Sequence, residues 1–402
     1  MSATSRPAPQ LKDWTILAYS VSDNNLYEYM QQDLDEAERI GSTEEMNVLV
    51  ETSHQPKGGS VVRMKLEPDL TEGLKSPVLQ DLGPHRNMSR SDSMAESIAW
   101  AIREYPSRHY MVIVSDNGSG WLGANHSEST DSWMTAADLE TGFKKAQQMT
   151  GKRIDVIGFD ECLMASTEIA HQLKDCAGYM VASEEVEGGA GWQYDEALGK
   201  TTNKKSRVFA NKVLNYAATA LRARDPLTPA DMATGIVRTA EGHQRDLGTM
   251  SAIDLGKIEA ITAAADSFAA AVLESGLTRP DIARVKQNTQ KFEEFADLGH
   301  FVEMAGDMYG GQIKVAADQV NRALKDAVIA EQHGDNYPNA RGLNIEINHK
   351  NYLMQGGPTL SPPAHQIPNL DEGKASLIDF PAYEEISFAR DTCWDDMLRK
   401  VG

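Results

Sequence analysis

Two short runs in this 402-residue chain carry residue types able to do covalent chemistry, and each ends an apolar segment. One is Gly158-Phe159-Asp160-Glu161-Cys162-Leu163-Met164, and the other is Ser115-Asp116-Asn117-Gly118-Ser119-Gly120-Trp121. Cys162 is expected where a strand passes into a helix, a place where backbone N–H groups and the helix dipole favour a thiolate. A free cysteine is otherwise a small buried hydrophobe, which is the better reading of Cys176, beside a strand start, and of Cys393, beside Trp394. A thiol nucleophile needs a base, most often His. Opposite Cys162 stands Asn117, whose carboxamide cannot take a proton. His109 starts the same strand at its far end, and His126 lies nine residues downstream of Asn117. The residues themselves therefore give a reactive-cysteine candidate with a missing partner. Residues 118–123 also read GxGxxG, but Trp121 sits inside the turn and a loop follows instead of the helix that a pyrophosphate site requires. No HExxH, P-loop or GxSxG occurs.

The elements that must hold these runs are legible as alternation. HYMVIVSD (109–116) and RIDVIGFD (153–160) are nearly unbroken apolar strands, the pattern of parallel strands buried on both faces. One right-handed crossover between them puts both tips on the same sheet edge, where open α/β sheets bind ligands. That places Asn117 near Cys162, although they are 45 residues apart. Thr135 with Asp138 predicts the capping box of the crossover helix, and Ser93 with Glu96 predicts another. Strands are also expected at 14–21, 46–52, 61–67 and 178–183, with helices at 26–40 and from 163 onward, where Asp160 would double as an N-terminal acid. Residues 71–92 read as loop, 203–332 as mainly helical, 333–375 as loop around the short strand GLNIEI, and the chain closes in one helix over YEEISFARDTCWDDMLRK. The β-α-β alternation over 14–200 implies an α/β layered sheet.

Composition narrows the function. The balance of 39 Lys+Arg against 59 Asp+Glu gives a net charge of −20, which argues against nucleic acid and anionic membrane as partners. It favours a cationic ligand or substrate. No run approaches the ~20 apolar residues of a membrane span, and the polar start lacks the apolar core of a signal peptide. Three cysteines without CxxC spacing suggest reduced thiols, and the reading is cytoplasmic.

The motifs together resemble the clostripain family of cysteine peptidases, which have a caspase-like fold. The pieces are Trp14-Thr15-Ile16-Leu17, residues 22–26, 116–121 and 158–165, Ala182-Ser183-Glu184-Glu185, Gly191-Trp192-Gln193-Tyr194, Asp297-Leu298-Gly299 and residues 386–394, in the family's order along nearly the whole chain. The resemblance implies a three-layer α/β/α sandwich with a mostly parallel central sheet. Residues 12–200 would be the catalytic core after a disordered tail (1–11), and 201–402 a mainly helical region packing on it. It further implies a Cys–His dyad cutting polypeptides after Arg or Lys. Cys162 matches the nucleophile, Asn117 the His position, Gly118 and the Cys162 N–H the oxyanion hole, and Asp160 with Ser183 and Glu187 the P1 pocket. No cofactor is required, although calcium stimulates some relatives; no D-x-D-x-D-G loop places such a site here.

Three departures stand out. Asn117 replaces the dyad His, so either a substitution has removed the base or the chain is a natural pseudoprotease that holds basic peptides or a partner protein. Ala190 stands where relatives carry an acid before Gly191-Trp192. Residues 122–143 contain no Lys or Arg for self-cleavage after a basic residue, and the first candidates, Lys144 and Lys145, fall in the predicted crossover helix. Single-chain activity, or activation by another protein, is the expectation.

Overall fold

The computed structural model describes residues 11–54, 59–187, 213–223, 227–239, 248–348 and 382–402; of the expected tail it describes only Leu11. In chain order its strands are Lys12–Ser20 (β1), Met46–Ser53 (β2), Val61–Lys65 (β3), Val78–Gly83 (β4), Ser107–Ser115 (β5), Ala124–Ser127 (β6), Ser132–Met134 (β7), Ile154–Asp160 (β8), Ala177–Ala182 (β9), Thr249–Asp254 (β10), Lys291–Phe292 (β11), Phe295–Asp297 (β12), Val328–His333 (β13) and Asn344–Glu346 (β14). Nine of them form one sheet in the order β13-β10-β9-β8-β5-β1-β2-β3-β4. The five central strands, β9 to β2, run parallel, and β10 and β3 are antiparallel to them at the two sides. Strands β6 and β7 pair as a hairpin, and β11, β12 and β14 form a separate small sheet.

Twelve helices complete the described residues: Tyr27–Ile40 (α1), Ser91–Glu104 (α2), Ala136–Thr150 (α3), Thr167–Leu173 (α4), Val213–Arg222 (α5), Pro229–Arg238 (α6), Ile258–Ser275 (α7), Arg279–Gln287 (α8), Leu298–Tyr309 (α9), Gly311–Ala327 (α10), Ser387–Asp391 (α11) and Trp394–Val401 (α12). Alternation along the buried strands divides the core in two. On β5, Tyr110, Val112 and Val114 pack with α2, α3, α4 and α7, while Met111 and Ile113 pack with α1, α5 and α6 on the other face. This is the expected α/β/α layering. None of these helices is long and apolar enough to cross a membrane.

Several expectations need correction. Residues 78–83 are not loop but a strand, β4; with no sheet partner beyond it among the described residues and most of its side chains exposed, it shows no apolar period to read. The described part of 203–332 is mainly helical as expected, although β10 and β13 also extend the main sheet through it. The capping box Thr135–Asp138 forms, but Ser93–Glu96 does not: α2 starts at Ser91, and Glu96 pairs with Arg86 instead. The closing helix is broken into a 3-10 turn, α11 and α12, because Thr392 is extended and turns its hydroxyl back to the Phe388 carbonyl at 2.8 Å. Ser166, not Asp160, caps the helix after Cys162, and that helix begins only at Thr167.

On the β1–β4 side, one buried carboxylate holds the layers together. Glu51 on β2 accepts from Arg63 Nε at 2.8 Å and from Arg86 Nε at 2.7 Å, and also from the Ser97 hydroxyl of α2. The Arg63 guanidinium lies 4.8 Å from the Trp100 ring centroid. Replacing one member of such a set leaves buried charge uncompensated. Glu51→Ala is therefore expected to lower the unfolding free energy by about 3 kcal/mol in urea titration, with Glu51→Gln costing less.

Candidate active site at the carboxyl edge of the sheet

Strands β5 and β8 are parallel neighbours with Ser115 opposite Asp160, so the two motif runs leave the sheet side by side, as expected. After β5, the buried Asp116 carboxyl accepts the Asn24 carboxamide and the N–H groups of Asn117 and His126. Asn24 also donates to the carbonyls of Val21 and His126, at 3.2 and 2.7 Å, and its own oxygen accepts from Leu26 N. A polar residue at the end of β1 thus ties the tips of β1, β5 and β6. Bonds from Asn125 N to Asn117 O (3.1 Å) and from Ser119 N to Gly123 O (2.9 Å) close the loop around Gly118 and leave the Gly118 amide outside that pairing. Asn117 is buried, and its carboxamide donates to Asn25 Oδ1 at a long 3.4 Å. The His126 ring packs on Trp133 at 6.0 Å, and His109 lies at the other end of β5 beside Trp14 and Asp155. The structure brings neither imidazole to the thiol as a base.

Cys162 lies in the turn between β8 and α4, which a positive φ of 65° at Leu163 helps to bend. A strap formed by residues 183–187 runs alongside this turn. Ala165 N bonds Ser183 O at 2.8 Å, Leu163 N bonds Glu185 O at 3.1 Å, and Glu187 N donates to Cys162 Sγ at 3.3 Å. The expected help from a helix N-terminus is absent, since α4 starts five residues beyond the cysteine. Burial first, and then the carboxylates of Glu187, Glu161 and Glu185, push the thiol up to about 12. Gly118 packs directly against this turn: a Cβ there would lie 2.5 Å from the Cys162 carbonyl oxygen and 2.9 Å from Glu161 Cβ. Gly118 and Cys162 are therefore in contact, and Asn117 adjoins Gly118 in the chain.

Of the remaining expected residues, Glu187 puts its charge on the thiol. Asp160 is buried at the end of β8, and its charge is felt by both Asp33 on α1 and Glu161. Glu187 holds the thiol through its main chain. Ser183 is committed elsewhere, its hydroxyl bonding Glu185 O at 3.0 Å and Thr249 Oγ1 at 3.1 Å. Glu161 is buried without a partner for either oxygen, and burial with Asp116, Asp160 and Glu187 nearby keeps it protonated well above the usual carboxyl range. Among the described residues, no three such side chains are arranged to hold a metal ion. Ala190 and Gly191-Trp192-Gln193-Tyr194 lie outside the described residues.

Polar residues from the far end of the chain brace the site. Trp121 donates its indole N–H to Glu346 Oε2 at 3.1 Å and meets the Tyr383 ring edge-on at 5.1 Å. Glu168 accepts from Tyr383 OH and from Glu346 N, each at 2.9 Å, and Trp394 Nε1 donates to Glu346 O at 2.9 Å. Asn344 donates to Leu163 O at 3.2 Å and to Glu184 O at 2.9 Å, clipping the cysteine turn to the strap. Sequence reading passed over Asn344 and Glu346. Their signal was two polar side chains inside the otherwise apolar strand GLNIEI.

A model of the clostripain family matches residues 18–400. Clostripain of Hathewaya histolytica is 23% identical over 306 residues, which are 63% of this chain and 55% of that protein, so the chain spans about half the length of this relative. Among solved structures, the secreted C11 cysteine protease "iotapain" of Bacteroides thetaiotaomicron superposes with a TM-score of 0.65 at 14% identity, covering 95% of this chain and 99% of the other. An inactive zymogen C11 protease of Parabacteroides distasonis gives 0.64 at 18% identity, covering 96% and 99%. A B. thetaiotaomicron C11 protease bound to an irreversible peptide inhibitor gives 0.60 at 20% identity, covering 86% and 95%. At these identities the structural likeness is one of fold.

The protonated thiol yields a direct test. Alkylation of Cys162 by iodoacetamide, followed on its own peptide by mass spectrometry, should be slow near neutral pH and rise steadily toward alkaline pH. Asn117→His should speed it about tenfold or more near pH 7, because an imidazolium beside the sulfur stabilises the thiolate. An unchanged rate would place residue 117 out of reach of the thiol.

Proposed function

The chain belongs to the clostripain family of cysteine proteases, and on that premise we propose a cysteine endopeptidase that cuts polypeptides after Arg or Lys. Cys162 is the nucleophile, and position 117 is the seat of its base in the active form. The observation that carries this reading is the packing of Gly118 against the Cys162 turn, with no room for a side chain between them. In this reading the amides of residues 118 and 162 would serve the oxyanion as it forms. A His at 117 would take the thiol proton as sulfur attacks the scissile carbonyl and return it to the departing amine, leaving an acyl-thioester for water to hydrolyse. With Asn117 in place no group there accepts the proton, and burial holds the thiol near 12, so the chain as given is inactive in this reading.

Charge supports the substrate class. A P1 guanidinium or ammonium entering beside Cys162 would meet Asp160 and Glu187, and its charge would offset the cost of keeping these carboxylates out of water. Relatives contribute only that one C11 protease accepts a peptide inhibitor. Lys144 and Lys145 lie in α3, paired with Glu140 and Asp92, and a protease needs an extended, mobile segment. Single-chain activity follows, and an active preparation split at either lysine would refute it.

Activity should appear in Asn117→His on fluorogenic peptides ending in Arg or Lys and vanish with Cys162→Ala. In that active background, Asp160→Ala should lower kcat/KM on Arg peptides by about 100-fold, a loss of roughly 3 kcal/mol, and spare Leu peptides. Equal losses would remove Asp160 from the pocket. No turnover with either residue at 117, while a basic peptide still binds, would instead mark a pseudoprotease that serves as a binding module.

A further inference from the structure

Glu184 and Asp297 occur in two of the motif pieces, yet the proposed chemistry gives neither a role. Both are fully buried. Consecutive amides serve them together: Arg341 N donates to Asp297 Oδ2 at 2.6 Å, and Gly342 N to Glu184 Oε2 at 2.9 Å. Asp297 Oδ1 accepts from His300 N at 2.6 Å, as the N-cap of α9. The two carboxyls also hydrogen-bond each other. Two carboxyls can do that only through a proton, and Glu184 Oε1 is the one of the four oxygens that takes no N–H or O–H donor. The proton therefore sits on Glu184, while Asp297, with two N–H donors and Arg341 nearby, is the ionised member.

We propose that Glu184 and Asp297 are positioning residues, which share one proton and thereby hold the 183–187 strap against Cys162. The strap's contacts flank Glu184 on both sides: Ser183 O with Ala165 N, Glu185 O with Leu163 N, and Glu187 N with the thiol itself. Losing the shared proton would set two carboxylates against each other without water, a repulsion that loosening the strap would relieve. The functional meaning rests on Cys162 being the nucleophile; the positioning itself does not.

Burial and the adjoining Asp297 hold Glu184 well above the usual carboxyl range, and burial raises Asp297 too, opposed by its amide donors. For groups raised in this way, stability is present at low pH and is lost as pH climbs through the raised values. The other charged groups facing the pair are Glu331, which is bonded to His333 on β13, and Arg341, which reaches Glu303 of α9; His300 adds its ring, and Glu185 lies next along the strap. These groups are untouched by substitutions in the pair, so any pH response they cause is common to every variant.

The test is amide hydrogen exchange on the full chain, reading protection at Leu163, Ala165 and Gly342. From about pH 6 to about pH 10, protection in the parent should fall about tenfold or more. Glu184→Gln mimics the protonated carboxyl with an N–H that cannot ionise, so its protection should stay level. Asp297→Asn must turn an NH2 toward His300 N or Arg341 N, and should lose protection at every pH. Overturning results are a Glu184→Gln profile that follows the parent, a Glu184→Gln chain that does not fold, or an Asp297→Asn chain protected as well as Glu184→Gln. Exchange needs no turnover, so failure of the peptidase reading would leave this measurement decisive.

Discussion

The closeness of two strand tips is the constraint on which everything else in this molecule depends. Parallel pairing puts Ser115 beside Asp160, and the chain then leaves both strands into a space so narrow that residue 118 can carry no side chain. Glycine is required there by contact and not by conformation, since the intruding Cβ would meet a backbone oxygen that cannot move aside. That single contact ties the loop after β5 to the turn that carries Cys162.

Burial of negative charge is the second theme. Asp33, Asp116, Asp160, Glu161, Glu184 and Asp297 are all buried around or behind this edge. The fold tolerates them in different ways. Asp116 accepts the Asn24 carboxamide at Oδ1 while its Oδ2 is buried without a partner, Glu184 shares a proton with Asp297, and Glu161 stays protonated because ionising it would cost several kcal/mol. The same desolvation that keeps Glu161 and Glu184 neutral keeps the thiol neutral, so the site as given is poised against its own chemistry. A cation brought into it, from a substrate or an imidazolium, would shift the balance in one step.

Bracing from the C-terminal half explains why matching pieces are scattered along the chain. Trp121, Glu346, Glu168, Tyr383 and Trp394 form one hydrogen-bonded assembly spanning residues 121–394. Each member alone is an unremarkable tryptophan, tyrosine or glutamate. Together they fix the loop after β5 to the small sheet of β11, β12 and β14, and Asn344 carries that order to the cysteine turn.

By itself the sequence determined the central strands, the crossover helix with its capping box, and the contact of Gly118 with the Cys162 turn, because unbroken apolar runs and local caps are short-range signals. It could not reveal β4, β10 and β13. The exposed β4 lacks an apolar period, and the other two join the sheet from a stretch dominated by helices. Nor could it set the state of the thiol: a motif read as a helix N-terminus proved to be an acidic, desolvated turn, since the distance from Cys162 to α4 depends on how residues 163–166 bend. Only the tertiary structure decided which carboxylates face one another, because the partners of Glu184, Glu346 and Asp116 lie 113, 178 and 92 residues away, counted to Asp297, Glu168 and Asn24. Long-range electrostatics has no period along a chain, and it governs this site.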